Sequence, residues 1–477
     1  MPLQSLTRFW CHAELVSASP FKIGVALVLL FVGNNLFSQQ YKLYGTFKDQ
    51  FGDPLPGVSV VKKGTTIGTT TDFNGNYELL LDKGEHTIEF SFLSPAPIVK
   101  RIYLQQDTRL DIQIGEKDIL LDEVLVSAIR VTAQTPVTFS NLSKEEVASR
   151  NLGQDIPILM NFLPAVVTTS DAGAGVGYTG IRVRGSDATR VNVTINGIPY
   201  NDAESHGTFW VNMPDFVSSV ENLQLQRGVG TSTNGAGAFG ASLNLLTDAS
   251  ATAAFAEVAN SYGSFNTHRH MLKFSTGKLG EQFELAGRLS VIKSDGYIDR
   301  ASSNLNSYFL QGTYSKGNTL VKALLFGGHE ITYQAWYGID VETLKTNRRF
   351  NPAGLYFDED GNPQFYDNEV DNYRQDHAQL HFNQKFGEYW NANLAFHYTY
   401  GRGFFEQFRE DDSFETYGFE PITVNGELVT TTDLIRRRWL DNDFYGTTFS
   451  ANYKREGIEA IFGGGYNRYH GDHFGEV

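Results

Sequence analysis

The sequence is poor in sulfur and in positive charge. Of its 477 residues one is cysteine, Cys11, and four are methionine. A single thiol excludes an intramolecular disulfide framework, and Cys11 has no small-residue lipobox around it, so no lipid anchor is expected of the mature chain. Acidic residues number 54 against 39 basic ones, a formal net charge of -15. A nucleic-acid partner wants a basic face, so none is expected. Beyond residue 38 no continuous apolar run approaches about eighteen residues, which excludes a spanning helix there. A phosphate-binding loop and a nucleophile–base constellation are also missing, so the sequence implies no enzyme, no catalytic residue and no cofactor.

What is present begins with an export signal. Residues 1–38 read as a signal peptide, with Lys22 opening the apolar stretch FKIGVALVLLFVGNNLF and Ser38 in the cleavage zone. Its apolar part is short for a spanning helix. The length suggests roughly three domains after it. Residues 42–114 alternate in short strands punctuated by turns at Gly52 to Pro54, Asn74 to Asn76 and Lys83 to Gly84, the pattern of a small β-sandwich. The phrases GDPLPGVSV and TTTDFNGNYEL resemble the carboxypeptidase regulatory-like domain, although Leu93 to Pro97 stands where that family usually turns. The name does not bring peptidase chemistry with it, because His86 is the only histidine in the segment and no zinc-ligand spacing exists there.

Between Thr179 and Thr247 the chain turns polar and glycine-rich. TGIRVRGSDATRVNVTINGIPYNDAESH alternates apolar and polar residues into a hairpin signal at Asn196 and Gly197. VENLQLQRG then runs through a stretch rich in glycine and alanine to GAFGASLNLLT. Glycines at 228, 230, 235, 237 and 240 permit positive φ and close backbone approach. Upstream, Ser143 and Glu146 form a capping-box signature, and Ile156 to Val167 supplies an apolar stretch for a sheet to pack on. In this order the phrases resemble the plug of a TonB-dependent outer-membrane receptor, over residues 131–247. The resemblance implies that Arg182, Arg184, Glu221 and Arg227 pair the plug with the barrel wall. It also implies that residues 122–128, DEVLVSA, are a TonB box in which Asp122, Glu123, Val124, Leu125, Val126 and Ser127 contact TonB. A short extended apolar stretch suits that role by adding a strand to a partner's sheet. Substrate contacts are expected from the plug apex and outer loops: Tyr200, Asp202, Glu204, His206 and Trp210, with Trp336 and Tyr337. The mix of carboxylates and imidazole in YNDAESHGTFW suits a polar apical loop better than a metal site, so no metal is assigned.

From residue 252 to 477 the alternation becomes long and strict. Phe283, Leu285, Leu289 and Val291 share one face while Glu284, Arg288 and Ser290 share the other, and residues 379–400 repeat the pattern. Apolar-out, polar-in strands of this length suit a transmembrane β-barrel. About nine strands fit, against the roughly 22 of plugged transporters, so the chain reads as the first part of a receptor that stops within the barrel. Ile331 to Asn372 and Arg402 to Asp441 read as long outward loops, and the histidine pairs 268/270 and 377/381 as lumen or girdle residues. The fold class expected is mainly β: an N-terminal sandwich, a mixed α/β plug and a partial antiparallel barrel. The resemblance implies an outer-membrane location in contact with lipid, partnership with TonB and through it ExbB and ExbD, and energised uptake of a small molecule or metal chelate. A ferric siderophore leads, ahead of cobalamin, haem or a glycan of the SusC type. A surface binding or adhesion protein built of β-modules is the reading from another class.

Overall fold

The computed structural model describes residues 40–48, 54–91, 98–113, 130–131, 136–230, 237–455 and 457–477. The signal peptide at 1–38 and the box at 122–128 lie outside the described residues. The chain divides into two compact units, residues 1–118 and 119–477.

In the first unit, β1 (Gln40–Lys48) pairs with β4 (Asn76–Asp82), with β7 (Thr108–Arg109) and with β8 (Ile112–Gln113). A second sheet sets β3 (Gly68–Thr70), β2 (Ser59–Lys62), β5 (Gly84–Ser91) and β6 (Ile98–Leu104) side by side. Alternation explains the sandwich. Leu43 and Phe47 from one sheet and Val60, Ile88 and Phe90 from the other are buried together, while the residues between them face water. The TDFNGN turn closes on Asp72, whose Oδ1 accepts from the backbone N–H of Asn74 and Asn76 at 2.8 Å each, with Gly75 at positive φ.

The second unit opens with the plug. β9 (Thr138–Ser143) leads into the helix α1 (Lys144–Ala148), whose capping box joins Ser143 and Glu146 in both directions. α2 (Ile156–Leu159) follows, then the two-stranded sheet of β10 (Val166–Ser170) and β11 (Thr179–Val183). β12 (Val191–Ile195) and β13 (Ile198–Pro199) form the expected hairpin, with both Asn196 and Gly197 at positive φ as a primed turn requires. With β14 (Val220–Arg227) and β15 (Ala241–Thr247) these build a five-stranded sheet in the order β13-β12-β15-β14-β9.

The sheet is two-faced in chemistry yet buried on both sides. Leu223, Leu225, Leu243 and Leu245 join Ile156, Leu159 and Met160 in one apolar cluster. The opposite face holds Thr194, Gln224, Gln226 and Asn244, all buried. Thr194 Oγ1 donates to Asn244 Oδ1 at 2.7 Å, Gln226 Nε2 to Gln224 Oε1 at 3.0 Å, and Gln224 Nε2 to Asn141 Oδ1 at 2.9 Å. The amide ladder compensates the burial that the LQLQ alternation imposes.

Nine strands then follow as successive antiparallel neighbours. They are β16 (Phe255–Tyr262), β17 (His268–Ser275), β18 (Phe283–Ser294), β19 (Ser303–Lys316), β20 (Thr319–Tyr333), β23 (Val370–Phe386), β24 (Trp390–Ser413), β27 (Thr431–Arg455) and β28 (Ile458–Glu476). The numbers omitted belong to two small hairpins, β21 (Leu355–Phe357) with β22 (Pro363–Phe365) and β25 (Ile422–Val424) with β26 (Glu427–Val429). Burial in this sheet is inverted: Phe283, Leu289, Phe382 and Phe396 are exposed, whereas Glu284, Arg288, Gln379 and Asn383 are buried. Such a wall has an apolar outside and a polar inside, as a bilayer demands. His268 and His270 lie toward the outer face, and His377 and His381 are buried on the inner one. No described helix is long and apolar enough to cross a membrane.

One expectation needs correction here. Arg402 to Asp441 is mostly strand, not loop: β24 and β27 stay paired from Arg402↔Asp441 up to Arg409↔Leu434 and, after a bulge, to Ser413↔Thr431. The sequence loses its alternation there, with Phe404 next to Phe405 and buried Glu406 next to Gln407, while the backbone pairing continues through the bulge. Plug and wall come close at Gly328 of β20, where a Cβ would sit 2.5 Å from the carbonyl oxygen of Asn212, so only glycine fits.

Candidate functional site

Two buried carboxylates fasten the plug to the inner face of the sheet. Asp215 follows Pro214 in a left-handed conformation (φ 55°, ψ 19°) just before a short 3-10 turn. Its Oδ2 lies 2.8 Å from Arg269 Nε of β17 and 3.6 Å from an Arg288 guanidinium nitrogen of β18. Ser290 Oγ and Ser218 Oγ donate to the same carboxylate at 2.7 and 2.6 Å. Burial alone would raise the Asp215 carboxyl, but Arg288 and Arg269 outweigh it and hold it below its ordinary value. Asp248, just past β15, receives Lys144 Nζ of the plug and Lys273 Nζ of β17, each at 2.5 Å. Here too burial is overcome by the two lysines, and the carboxyl is held low.

The four residues expected to pair with the wall do something else. Arg227 Nε donates to the Pro164 carbonyl at 3.0 Å and another of its nitrogens to Ser140 Oγ at 2.6 Å. Arg184 donates to Thr138 Oγ1 at 2.8 Å, Glu221 meets Lys144 at 3.4 Å, and Arg182 lies exposed on β11. Among the described residues the bonds of Arg184, Glu221 and Arg227 stay inside the plug. They splice β9, β11 and β14 together, and the contact with the wall passes to acids on the plug and bases on the strands. A signal for this existed: Arg269 and Lys273 sit four apart on β17, hence on one face, and Arg288 occupies the matching face of the next strand.

Above the clamp a cavity of about 780 Å³ opens between the plug and the wall. Of the residues expected to bind substrate, Tyr200, Asp202 and Trp336 line it. Asp202 is fixed by its own loop, accepting from the backbone N–H of Glu204 and Ser205 at 3.1 and 2.7 Å. Glu204 meets His473 Nε2 of β28 at 2.9 Å, beside the cavity. His206 faces a second cavity of about 960 Å³, walled by groups such as Asn192, Thr194, Asn393 and Asn467. Trp210 is a correction: it is buried in the plug's apolar cluster with Met213 and Phe216 and lines neither of these cavities. Tyr337 is half exposed outside the cavity, its hydroxyl donating to Gln334 Oε1 at 3.3 Å and accepting from Gln407 Nε2 at 2.6 Å. Sequence reasoning covered Tyr178 and Phe209 only as parts of the apical segments 168–178 and 200–210, and it did not single out Glu330, Asp371, Tyr373 and Phe405. These come from separate segments, and no local pattern joins them.

Residues 131–242 match the TonB-dependent receptor plug domain, and residues 43–126 the CarboxypepD_reg-like domain. The chain carries the plug domain of TonB-dependent receptors. A curated relative, the TonB-dependent receptor SusC of Bacteroides thetaiotaomicron, is 27% identical over 249 residues, which take in 50% of this chain and 22% of SusC. A TonB-dependent receptor of Formosa agariphila is 29% identical over 173 residues, 34% of this chain and 16% of its own. Among solved structures, BauA, the ferric preacinetobactin receptor of Acinetobacter baumannii, superimposes with a TM-score of 0.54 at 13% identity, covering 73% of this chain and 49% of its own. FpvA of P. aeruginosa gives 0.52 at 12% identity, with 86% and 52% covered. The chain thus spans about half the length of the solved structures it matches, and its alignments take in about a fifth of the curated relatives. At these identities the structures establish the fold.

Within the receptor's plug, Asp155 caps α2 but makes no cap bond. Its Oδ2 accepts from Thr179 Oγ1 at 2.9 Å, and Oδ1 is buried without a partner. Burial pushes the carboxyl from 3.8 up to about 8. The folded state therefore favours the neutral acid: the stabilisation is complete below pH 3.8 and is lost as pH rises toward about 8. Asp155→Asn, which keeps the shape and the acceptor, should remove that component. Denaturant midpoints measured across this window should fall with pH in the wild type relative to the variant, and parallel profiles would show that Asp155 is not buried as an acid.

Proposed function

We propose that this receptor is an outer-membrane uptake protein energised through TonB, which binds its ligand in the cavity above the plug. The observation that carries the reading is a plug held to an inside-polar wall by charge pairs, with an aromatic cavity over it. Charge pairs are strong in place, yet they can exchange partners or rehydrate when the plug is pulled. In this reading residues 122–128 form the strand that TonB captures, with ExbB and ExbD acting through TonB, and Arg184, Glu221 and Arg227 keep the pulled plug coherent. The first unit is accessory. Lipid contacts the exposed apolar faces of β18, β23 and β24.

For cargo, a ferric siderophore remains the leading class, provided that it presents a neutral or cationic face to the carboxylates of the cavity. The likeness to BauA, the ferric preacinetobactin receptor, supports the fold rather than the cargo. A glycan is the second reading, favoured by the match to SusC and by the amide- and hydroxyl-lined second cavity. Two measurements test the proposal. Carbonate extraction should leave the protein in the membrane pellet, and a protonophore should stop accumulation of ligand without displacing what is bound. Recovery in the soluble fraction would favour the adhesion reading instead.

A further inference from the structure

Glu330 and Asp371 bring two carboxyl groups to one corner of the cavity with hydroxyl partners but no basic side chain against either. They stand on the inner faces of β20 and β23, where Thr332 faces Asp371 and Glu330 faces Tyr373. Both carboxylates are bonded to the hydroxyl of Tyr178 from the plug, Glu330 Oε1 at 3.2 Å and Asp371 Oδ2 more closely. A phenol has one proton to give, so it satisfies one of them at a time. Thr332 Oγ1 donates to Glu330 Oε2 at 3.0 Å. Among the described residues no Lys, Arg or His forms an ion pair with either carboxylate, although Glu330 is 1% exposed. Buried carboxylates are ordinarily paired, because leaving one alone is costly.

The rings beside them are arranged to receive the missing charge. Trp336 stands edge-on to Tyr178, with centroids 5.6 Å apart at 80°, and to Phe405, 6.3 Å apart at 89°. With Trp336 near-perpendicular to both neighbours, ring faces and edges surround one corner, and an aromatic face attracts a cation. The bases that line the cavity are otherwise engaged. His473 is bonded to Glu204, and Arg438 lies over the Phe405 ring at 5.8 Å.

Building on the uptake reading, we propose that the cavity recognises its ligand through a cationic group, an alkylammonium or guanidinium carried on an apolar body. The carboxylates of Glu330 and Asp371 supply the counter-charge, and the Tyr178–Trp336–Phe405 corner takes the apolar part. Tyr178 then links ligand to plug: its hydroxyl must share the carboxylates with the incoming cation, and it precedes β11, on which Thr179 holds Asp155.

The test uses three probes of one shape, 4-phenylbutylammonium, 4-phenylbutanol and 4-phenylbutyrate, titrated by calorimetry into the full chain in detergent. The ammonium should bind about tenfold or more tighter than the alcohol, and the carboxylate weakest. Asp371→Asn and Glu330→Gln keep shape and acceptors while removing charge, and each should erase most of that preference without weakening the alcohol. Trp336→Ala should weaken the ammonium and the alcohol alike. Equal binding of all three probes, or an undiminished preference in both charge variants, overturns the proposal. If one variant fails to fold, as judged by near-UV circular dichroism, the other reads the same outcome. The uptake reading fails separately: cation preference in binding together with protonophore-insensitive accumulation would keep the cavity chemistry and discard the transporter.

Discussion

Asp215→Ala should unseat the plug. The substitution removes the one carboxylate shared by Arg269 and Arg288, whose side chains are 5% and 1% exposed, and leaves two guanidinium groups in a polar but nearly dry interface. Breaking a buried pair from one side costs about 3–5 kcal/mol, since the surviving charge keeps its desolvation penalty and loses its compensation. Serines 218 and 290 also lose their acceptor. Trp210, buried in the plug core, reports on this region: its fluorescence should shift to the red at lower denaturant than the transition of the strands, which circular dichroism follows. Asp215→Asn should fall between, because it retains an acceptor for the serines and loses only the charge. A plug transition that stays coincident with the strands in the alanine variant would mean that apolar packing alone seats the plug.

Val124→Pro is expected to abolish energised uptake and leave ligand binding intact. Residue 124 sits inside the short extended stretch through which strand addition to TonB is proposed, and proline there removes a backbone N–H and restricts the residue before it. Strand addition draws its affinity from main-chain hydrogen bonds, so one missing donor in so short a segment is a large fraction of the contact. Binding in the cavity involves none of these residues and should give the same isotherm. Accumulation of ligand by cells carrying the variant at wild-type rate would remove residues 122–128 from the mechanism.

Some of this architecture was legible in the residues themselves, and the reason is local in each case. Asn196-Gly197 reads as a primed hairpin because few other pairs tolerate two positive φ values in succession. Ser143 and Glu146 read as a capping box because both halves lie within one turn. The nine strands read as a membrane wall because a bilayer forces period-two alternation with the apolar side outward. Where the constraint is not local, reading fails. β24 and β27 continue as paired strands after the alternation ends, since pairing is dictated by the neighbouring strand and not by the solvent. Trp210 looked like an apical contact because an aromatic next to a polar loop serves equally well as core or as surface. The cavity was only half visible, since Glu330, Asp371 and Phe405 meet through the register of the nine-stranded sheet and Tyr178 reaches them from the plug, and register is a property of the whole sheet.

The clamp at Asp215 and Asp248 also bears on which plugs and walls belong together. Its acids are all on one partner, and Arg269, Lys273 and Arg288 are all on the other. A plug imported from elsewhere with a basic residue in place of Asp215 or Asp248 would meet like charge at a buried surface, where repulsion is screened least. The sign of the clamp therefore works as a matching rule, under which a chimera assembles only when both halves are exchanged or both charges are reversed together.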